Sequence, residues 1–375
     1  MAPAPRAPSL SPLLVLLCWT SLSARAGEPP STWEDLMDAP TPQALEAVEQ
    51  RIVGQGCEPR LLGDAKRRFV EAQLLCDAYL SFIFVQATLE GSPLPDSRRR
   101  LKALLADALG RARAPFLADG TTRVADRALP LSILYRGHVL LMLAGMHHAG
   151  LADPEDSVLF DALAAQLVEA LSRQRLLPSF GRSIWPCDSA PAAAGLLLHG
   201  RLRGADASTA MGKRLVERLV ELTSLPTGFP TRVDAKGRPV EATPRGTTLA
   251  WTGAYLGMAG HPAASTFTRT LVRTHCDRPA GDLLPLAACR EWPRGVHGKE
   301  DSASGPLLHG YSVGASALAI AATHLSAEHT TWHRQLLNTA REMGIQPMLQ
   351  KPDKHPLEAT LFWWGLTTRP WASVQ

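Results

Sequence analysis

The sequence predicts an all-α protein whose helices close into an (α/α)6 toroid of about six helical hairpins. Helical hydrophobic patterns recur about twelve times, with almost no strand pattern between them. Apolar helices alternate with amphipathic ones, as expected for inner helices that contact neighbours on all sides and outer helices with one buried stripe. Landmark residues of the apolar helices lie 53 to 57 residues apart, a spacing that fits one helix–loop–helix–loop unit.

The landmarks behind this spacing are Tyr79, Tyr135, Asp188, Arg245, Asp301 and Pro356. Inner helices are predicted at 129–149, 189–202, 247–259 and 307–325, and outer helices at 97–112, 157–173, 208–224 and 330–343. Further helical patterns cover 42–53, 64–89, 263–275 and 358–366. A small β-hairpin is predicted near 228–243, where Asp234 to Gly237 supply the turn. An open solenoid of the same helices is the alternative architecture.

The N-terminus has the features of a secretory signal peptide over residues 1–26. Arg6 supplies the positive charge, residues 9–20 form an apolar stretch, and Ala24 and Ala26 fit a cleavage site before Gly27. Lipoprotein anchoring at Cys18 is disfavoured because leucines rather than small residues precede it. We therefore expect an exported protein, periplasmic or extracellular, with residues 27–375 forming a single domain.

The composition and net charge of the chain limit the classes of molecule that we expect it to bind. The chain is 45% hydrophobic and 20% charged, which is enough to form a sizeable core. Its net charge of +4 falls to +2 without residues 1–26, so neither nucleic acid nor an anionic membrane is indicated as a partner. No later segment offers 18 uncharged apolar residues, so no transmembrane helix is predicted. The sequence does not fix the oligomeric state.

Five cysteines follow the predicted cleavage site, and an odd count in an exported protein leaves one thiol unpaired. Proximity in sequence makes Cys57–Cys76 and Cys276–Cys289 possible bridges, with Cys187 left over. Five free buried thiols are the alternative, because pairing cannot be deduced from sequence.

If the ring closes, the segments that lead into the inner helices meet at one end. These segments are rich in acids, Arg, His, Tyr and Trp, which predicts a cleft with convergent polar groups and aromatic walls. The candidate catalytic residues are Cys187, Asp188, Glu291, Asp301 and Tyr311. The candidate substrate-binding residues are Tyr135, His138, Trp185, Arg245, Trp251, Arg290, Trp292 and His309.

Each candidate also has a structural interpretation. Asp188 and Asp301 could cap helices, Arg290 and Glu291 could form a salt bridge, and His138 and His309 could be core histidines. No metal site or cofactor is predicted. His329 and His333 share a helix face, but no third ligand is apparent.

Four segments carry a resemblance to a known group: Leu-Tyr-Arg-Gly-His at 134–138, Ile-Trp-Pro-Cys-Asp-Ser-Ala at 184–190, Arg-Glu-Trp-Pro-Arg-Gly at 290–295 and Asp-Ser-Ala-Ser-Gly-Pro at 301–306. The chain resembles bacterial (α/α)6 proteins of the linalool dehydratase/isomerase-like group, whose members are mostly uncharacterised. The resemblance implies an inner cavity and acid/base chemistry on a small alcohol or sugar-like substrate. One departure is Ala303, where the group's pattern would have a second Asp.

These observations favour an exported lyase or isomerase that uses acid/base chemistry on a small alcohol or terpenoid-like substrate. Burial among Trp side chains would raise the pKa of one carboxyl group while another stays ionised. A carbohydrate-active hydrolase or epimerase is an alternative, which implies a saccharide ligand instead. A catalytically weakened binding protein of the cell envelope is the third possibility, favoured by Ala303.

Overall fold

The computed structural model describes residues 39–57, 69–92, 94–279 and 284–371. The predicted signal peptide, its cleavage site and Cys18 lie outside these residues. In chain order the elements are α1 Pro42–Gln55, α2 Ala72–Leu89, α3 Ser97–Leu109, β1 Thr121–Val124, β2 Arg127–Pro130, α4 Ile133–His148, α5 Pro154–Arg173, α6 Ser189–Arg203, α7 Asp206–Thr223, β3 Arg232–Val233, β4 Pro239–Glu241, α8 Gly246–Met258, α9 Ala264–His275, β5 Cys276–Asp277, β6 Ala288–Cys289, β7 Leu307–Leu308, β8 Tyr311–Ser312, α10 Val313–His324, α11 Thr330–Glu342, α12 Ile345–Leu349 and α13 Pro356–Thr367.

Six inner helices form the closed ring that the sequence predicts. Helix α2 packs against α4, α4 against α6, α6 against α8, α8 against α10, and α10 against α13, which returns to α2. The amphipathic helices α1, α3, α5, α7, α9 and α11 lie outside this ring, each buried along one stripe. The (α/α)6 toroid is therefore confirmed, and the open solenoid is not.

Small residues let the inner helices approach closely. A side chain at Gly137 of α4 would meet the backbone nitrogen of Ala192 in α6 at 2.7 Å. Helix α6 faces it with a buried run of alanines from Ala192 to Ala194. This contact explains why the apolar helices of this sequence are rich in Gly and Ala.

Short hairpins interrupt the predicted helical pattern. The predicted hairpin near 228–243 is confirmed as the antiparallel pair β3–β4, but β1–β2, β5–β6 and β7–β8 were not predicted. The starts of two inner helices were therefore predicted too early in the chain. The helix predicted from 129 begins at Ile133 and the one predicted from 307 begins at Val313, because Ser132 and Ser312 cap the true starts with their hydroxyls.

The cysteine arrangement agrees with the proximity argument. Cys57 is bonded to Cys76, Cys276 is bonded to Cys289, and Cys187 is a free, buried thiol. The second bridge joins β5 to β6 immediately before Arg290 and Glu291. It therefore fixes the strand that leads into the site.

Among the described residues, one helix is long and apolar enough to cross a bilayer. It is α2, and 83% of it is buried inside the protein. Its apolar character is accounted for by its place in the inner ring.

Candidate active site

The starts of the inner helices meet at one end of the ring, as the sequence argument expects. The residues flanking these starts include Glu71, Asp188 and Arg245. A cleft of about 410 Å³ opens there, lined by Trp185, Glu241, Thr243, Arg245, Trp292 and the segment 296–301. The hairpin β3–β4 contributes Glu241 to one wall.

Arg245 is the buried centre of the cleft wall. Its guanidinium forms an ion pair with Glu291 and a second one, of 2.5 Å, with Asp301. It also lies over the indole of Trp292, 5.4 Å from the ring centroid. Three of the predicted site residues are therefore joined through Arg245.

Close backbone packing holds this arrangement. The backbone nitrogen of Gly246 donates to the carbonyl oxygen of Glu291 at 2.8 Å, and a Cβ at Gly246 would meet the carbonyl oxygen of Arg290 at 2.0 Å. The Thr247 hydroxyl donates to the Glu291 carboxylate at 2.7 Å. Burial raises the pKa of Glu291, and Arg245 opposes that shift. Glu291 is therefore bound to Arg245 and Thr247 and holds Arg245 in place.

Asp301 has a double structural role. Burial acts to raise its pKa, but Arg245 and the backbone N–H groups of Ser304 and Ala303 bring the pKa below its usual value. Those N–H groups donate to its carboxylate at 2.9 and 3.0 Å. Asp301 is therefore ionised at neutral pH and closes a turn at the mouth of the cleft. Ala303, the departure from the group's pattern, is exposed on the same turn.

Asp188 differs from Asp301, because among the described residues no backbone N–H of α6 bonds its side chain. Its carboxylate is half-buried and accepts a hydrogen bond from the Cys187 thiol at 3.6 Å. Burial raises the pKa of Asp188 to about 6, although a hydrogen bond with Ser179 acts in the opposite direction. The Asp188 side chain is therefore not a helix cap, and its raised pKa makes it a candidate for proton transfer near neutrality.

Cys187 is not a thiolate. Burial raises its pKa well above the ordinary value, and the charge of Asp188 raises it further. The thiol thus stays protonated at neutral pH, which removes it as a nucleophile. A helix N-terminus favours the thiolate form of a nearby cysteine, but burial outweighs that effect on Cys187.

Glu71 is a functional candidate that the sequence analysis missed. Burial raises its pKa to about 8, and the charges of Asp188 and Asp301 raise it further. Those interactions place its carboxyl group near both acids, at the start of α2. The predicted helix 64–89 hid it, because residue 71 then falls inside a helix rather than directly before one. An acid immediately before an apolar helix, as at Asp188, was the pattern that could have identified it.

An aromatic cluster lies inside the ring. The indoles of Trp251 and Trp364 lie 5.0 and 5.3 Å from the ring of Tyr255, and Tyr79 stacks on Trp364 at 4.8 Å. Burial raises the pKa of Tyr255, and the charge of Asp188 adds to this effect, so the aromatic cluster lies near Asp188.

His138 and Tyr135 are core residues rather than binding residues. The Leu134 carbonyl accepts from Nδ1 of His138 at 2.7 Å, so Nε2 accepts from the Tyr255 hydroxyl at 2.8 Å. Burial lowers the pKa of His138 to about 4, which keeps the imidazole neutral. The Tyr135 hydroxyl donates to the carbonyl of Ala108 at 3.0 Å, on the side of α3. Both predictions are corrected by these buried hydrogen bonds.

Arg290, His309 and Tyr311 form a separate group and do not line the cleft. Arg290 pairs with Asp277 at 2.6 Å, lies 4.3 Å above the ring of Tyr311, and donates to the His309 carbonyl at 3.4 Å. Because adjacent residues of strand β6 and its continuation point in opposite directions, Arg290 and Glu291 serve different places. Across the described ranges no cluster of three or more His, Cys, Asp or Glu side chains is placed to hold a metal ion.

The comparisons with known proteins give information about the fold of this chain only. No protein-family model and no curated protein matches the sequence. An inactive variant of an α-1,6-mannanase of Salegentibacter, in complex with α-1,6-mannotriose, aligns with 87% of this chain and 98% of that chain at a TM-score of 0.50 and 11% identity. The unsaturated glucuronyl hydrolase of a Bacillus species aligns with 78% of this chain and 97% of that chain at a TM-score of 0.45 and 13% identity. The likeness to the mannanase supports the (α/α)6 architecture.

Proposed function

We propose that this protein is a carbohydrate-active enzyme that breaks a glycosidic bond at the N-terminal ends of the inner helices, where Glu71 and Asp188 lie next to the cleft but outside its lining residues. The observation that carries the proposal is the pair of half-buried carboxyl groups with separated pKa values, about 8 for Glu71 and about 6 for Asp188. Two carboxyl groups in different protonation states are one requirement of glycoside hydrolysis.

The roles follow from the protonation states near pH 7. Glu71 is protonated and donates its proton to the leaving glycosidic oxygen. Asp188 is ionised. It acts either as the general base that activates a water molecule or as the nucleophile that attacks the sugar carbon of the glycosidic bond. Trp185 lines the cleft and supplies an aromatic side chain against which a sugar ring can pack.

The mannanase of the same fold lends support and also marks a difference. That protein is inactive when two adjacent aspartates are replaced by asparagine. The present sequence contains no two adjacent aspartates. Its acid and base would therefore come from the starts of two different inner helices, α2 and α6.

The proposal is tested by incubating the purified protein with a panel of α- and β-linked oligosaccharides and following the release of reducing ends. Wild type is compared with Glu71→Gln and Asp188→Asn, and with Asp277→Asn as a carboxylate control outside the cleft. We expect turnover of at least one saccharide by wild type and by the control but not by the two site variants. Turnover of none, or equal turnover by all four proteins, contradicts the proposal.

The pH dependence of kcat/KM is expected to be bell-shaped, with limbs near pH 6 and pH 8. As pH falls through about 6, Asp188 gains a proton and ceases to act as base. As pH rises through about 8, Glu71 loses the proton it must donate. Initial rates at low substrate concentration between pH 4.5 and about 9.5 test this expectation. A profile that is flat between pH 5 and about 9 would exclude this acid–base pair.

A second candidate is lyase or isomerase chemistry on a small alcohol, in keeping with the predicted resemblance to the linalool dehydratase/isomerase-like group. The observation that favours it is the protonated Cys187 thiol beside the Asp188 carboxylate. Dehydration of a terpenol by wild type, lost in Cys187→Ala, would support this candidate over glycoside cleavage. Export of the protein likewise remains a prediction.

A further inference from the structure

We propose that the hairpin β3–β4 carries a sugar-binding subsite, where Glu241 and Thr243 bond to neighbouring hydroxyl groups of a ring that packs against Trp185. This inference rests on the proposed function, since it names the chemistry of the ligand that the cleft accepts. The ligand is a polyhydroxylated ring, in contrast to a terpenol with one hydroxyl group.

Backbone hydrogen bonds hold the hairpin against the segment that leads into α6. Strand β3 donates to the carbonyl oxygen of Ile184, the residue directly before Trp185, at 3.0 Å. The buried residue Thr231 holds the other strand, because its N–H donates to the Glu241 carbonyl at 2.9 Å and its hydroxyl donates to the Thr243 carbonyl at 2.7 Å. The hairpin therefore places two polar side chains in the cleft that Trp185 also lines.

The polar groups of this subsite are accessible and have no partner within the protein. Glu241, Thr243 and Trp185 are each partly exposed and line the cleft. Among the described residues, neither the Glu241 carboxylate nor the Thr243 hydroxyl bonds to another group. Arg245 and Asp301 of the same cleft are instead bonded to each other. A ligand can therefore bond to Glu241 and Thr243 without breaking a hydrogen bond inside the protein.

The chemistry of these groups indicates the ligand. The two oxygens of a carboxylate only accept hydrogen bonds, so two neighbouring sugar hydroxyls can each donate to one of them. The Thr243 hydroxyl can donate or accept, and the indole of Trp185 can pack against the apolar face of the ring. Hydrogen bonds to a charged acceptor are the stronger ones, so Glu241 is expected to contribute most to affinity.

The subsite adjoins one of the two proposed catalytic carboxyl groups. The backbone N–H of Asp188 donates to the carbonyl oxygen of Trp185 at 3.0 Å, in the turn before α6. A ring that packs against Trp185 therefore lies close to the residue that acts as base or nucleophile. The hairpin supplies the binding of a sugar residue next to the bond that is cleaved.

The test is calorimetric binding to the full chain carrying Glu71→Gln, which removes the proposed acid so that the probes are bound but not cleaved. The probes are neutral trisaccharides of mannose and of glucose, the same trisaccharides with single hydroxyl groups replaced by hydrogen, and linalool as a ligand with one hydroxyl group. We expect at least one trisaccharide to bind at least about tenfold more tightly than linalool.

Substitutions in the same background then locate the subsite. Glu241→Gln is expected to weaken trisaccharide binding about tenfold or more, and Thr243→Val, which keeps the shape of the side chain, about threefold. Val240→Thr is the control within the hairpin, because Val240 is 58% exposed and adjacent residues of a strand point to opposite faces. Glu217→Gln is the control for charge, because Glu217 is exposed on the outer helix α7. Both controls should leave the affinity unchanged.

The deoxy trisaccharides show whether Glu241 itself contacts the hydroxyl groups. Removal of a hydroxyl that donates to Glu241 should weaken binding about tenfold in the Glu71→Gln background. The same removal should have little further effect once Glu241→Gln is also present, because the two changes remove one interaction.

The outcomes separate this inference from the proposed function. Trisaccharides that bind but are not cleaved by wild type would contradict the proposed function and leave the subsite standing. Cleavage that Glu241→Gln leaves unaffected at low substrate concentration would overturn the subsite alone. The subsite is also overturned if no trisaccharide binds, if linalool binds as tightly, if every deoxy trisaccharide binds like its parent, or if a folded Glu241→Gln variant keeps its affinity. Thr243→Val gives the same decision if Glu241→Gln does not fold.

Discussion

Asp188→Asn is expected to lower kcat by about 10²- to 10⁴-fold, the range of a lost acid or base group. Asparagine keeps the shape of the side chain but cannot take up a proton or attack as a nucleophile. Because the Asp188 side chain caps no helix N–H among the described residues, stability should change little. Steady-state kinetics on the saccharide found in the substrate panel, together with a thermal melt, measure both effects.

The companion change, Glu71→Gln, should lower kcat by a similar factor, and it should abolish the alkaline limb near pH 8 in whatever activity remains. A substrate with a good leaving group should recover much of the rate in Glu71→Gln but not in Asp188→Asn, because only the acid assists the leaving oxygen. Equal recovery in both variants would contradict the assigned roles. A loss of less than about threefold in Asp188→Asn would remove this residue from the mechanism.

Glu291→Gln is expected to destabilise the fold by about 1–3 kcal/mol, the range for a buried group that loses its partner, because Arg245 keeps its ion pair with Asp301. Glu291 is fully buried and Arg245 is 3% exposed, so water cannot replace the lost partner. The change also leaves the Thr247 hydroxyl without its charged acceptor. Urea denaturation followed by circular dichroism gives the free energy of unfolding.

Glu169→Gln provides the matched comparison for that experiment. Glu169 pairs with Arg173 one helical turn away, with both side chains more than half exposed. Solvent screens that pair, so its loss should change the free energy of unfolding by less than about 1 kcal/mol. If both substitutions have the same small effect, the Arg245–Glu291 pair does not hold the site together.

Part of the site could be predicted from the sequence, because the position of a residue relative to the inner helices indicates where it lies in the ring. Trp185, Arg245, Trp292 and Asp301 were chosen because they lie in the segments that lead into apolar helices, and all four line the cleft. Asp188 was chosen on the same ground and lies near Glu71 and Tyr255. A closed ring necessarily collects the leading ends of its inner helices, so chain position predicts spatial position there.

Other assignments failed because neighbours in sequence diverge in space. Arg290 and Glu291 are adjacent, yet Arg290 pairs with Asp277 outside the cleft while Glu291 is buried against Arg245. His138 lies within an inner helix but bonds to Tyr255 in the core. Polar residues gathered near a helix start are therefore not all directed at the same space.

The sequence by itself determined an inner and an outer layer of helices, because apolar helices must be covered on all sides and amphipathic ones on a single stripe. That the inner layer closes into a ring was decided by the tertiary structure. It also determined that polar residues precede the inner helices. Only the tertiary structure decided which carboxyl groups have raised pKa values without an arginine partner. Asp188 and Glu71 are desolvated with raised pKa values, whereas Asp301 and Glu291 are bound to Arg245. Protonation depends on burial and on charges distant in sequence, and neither quantity is encoded locally.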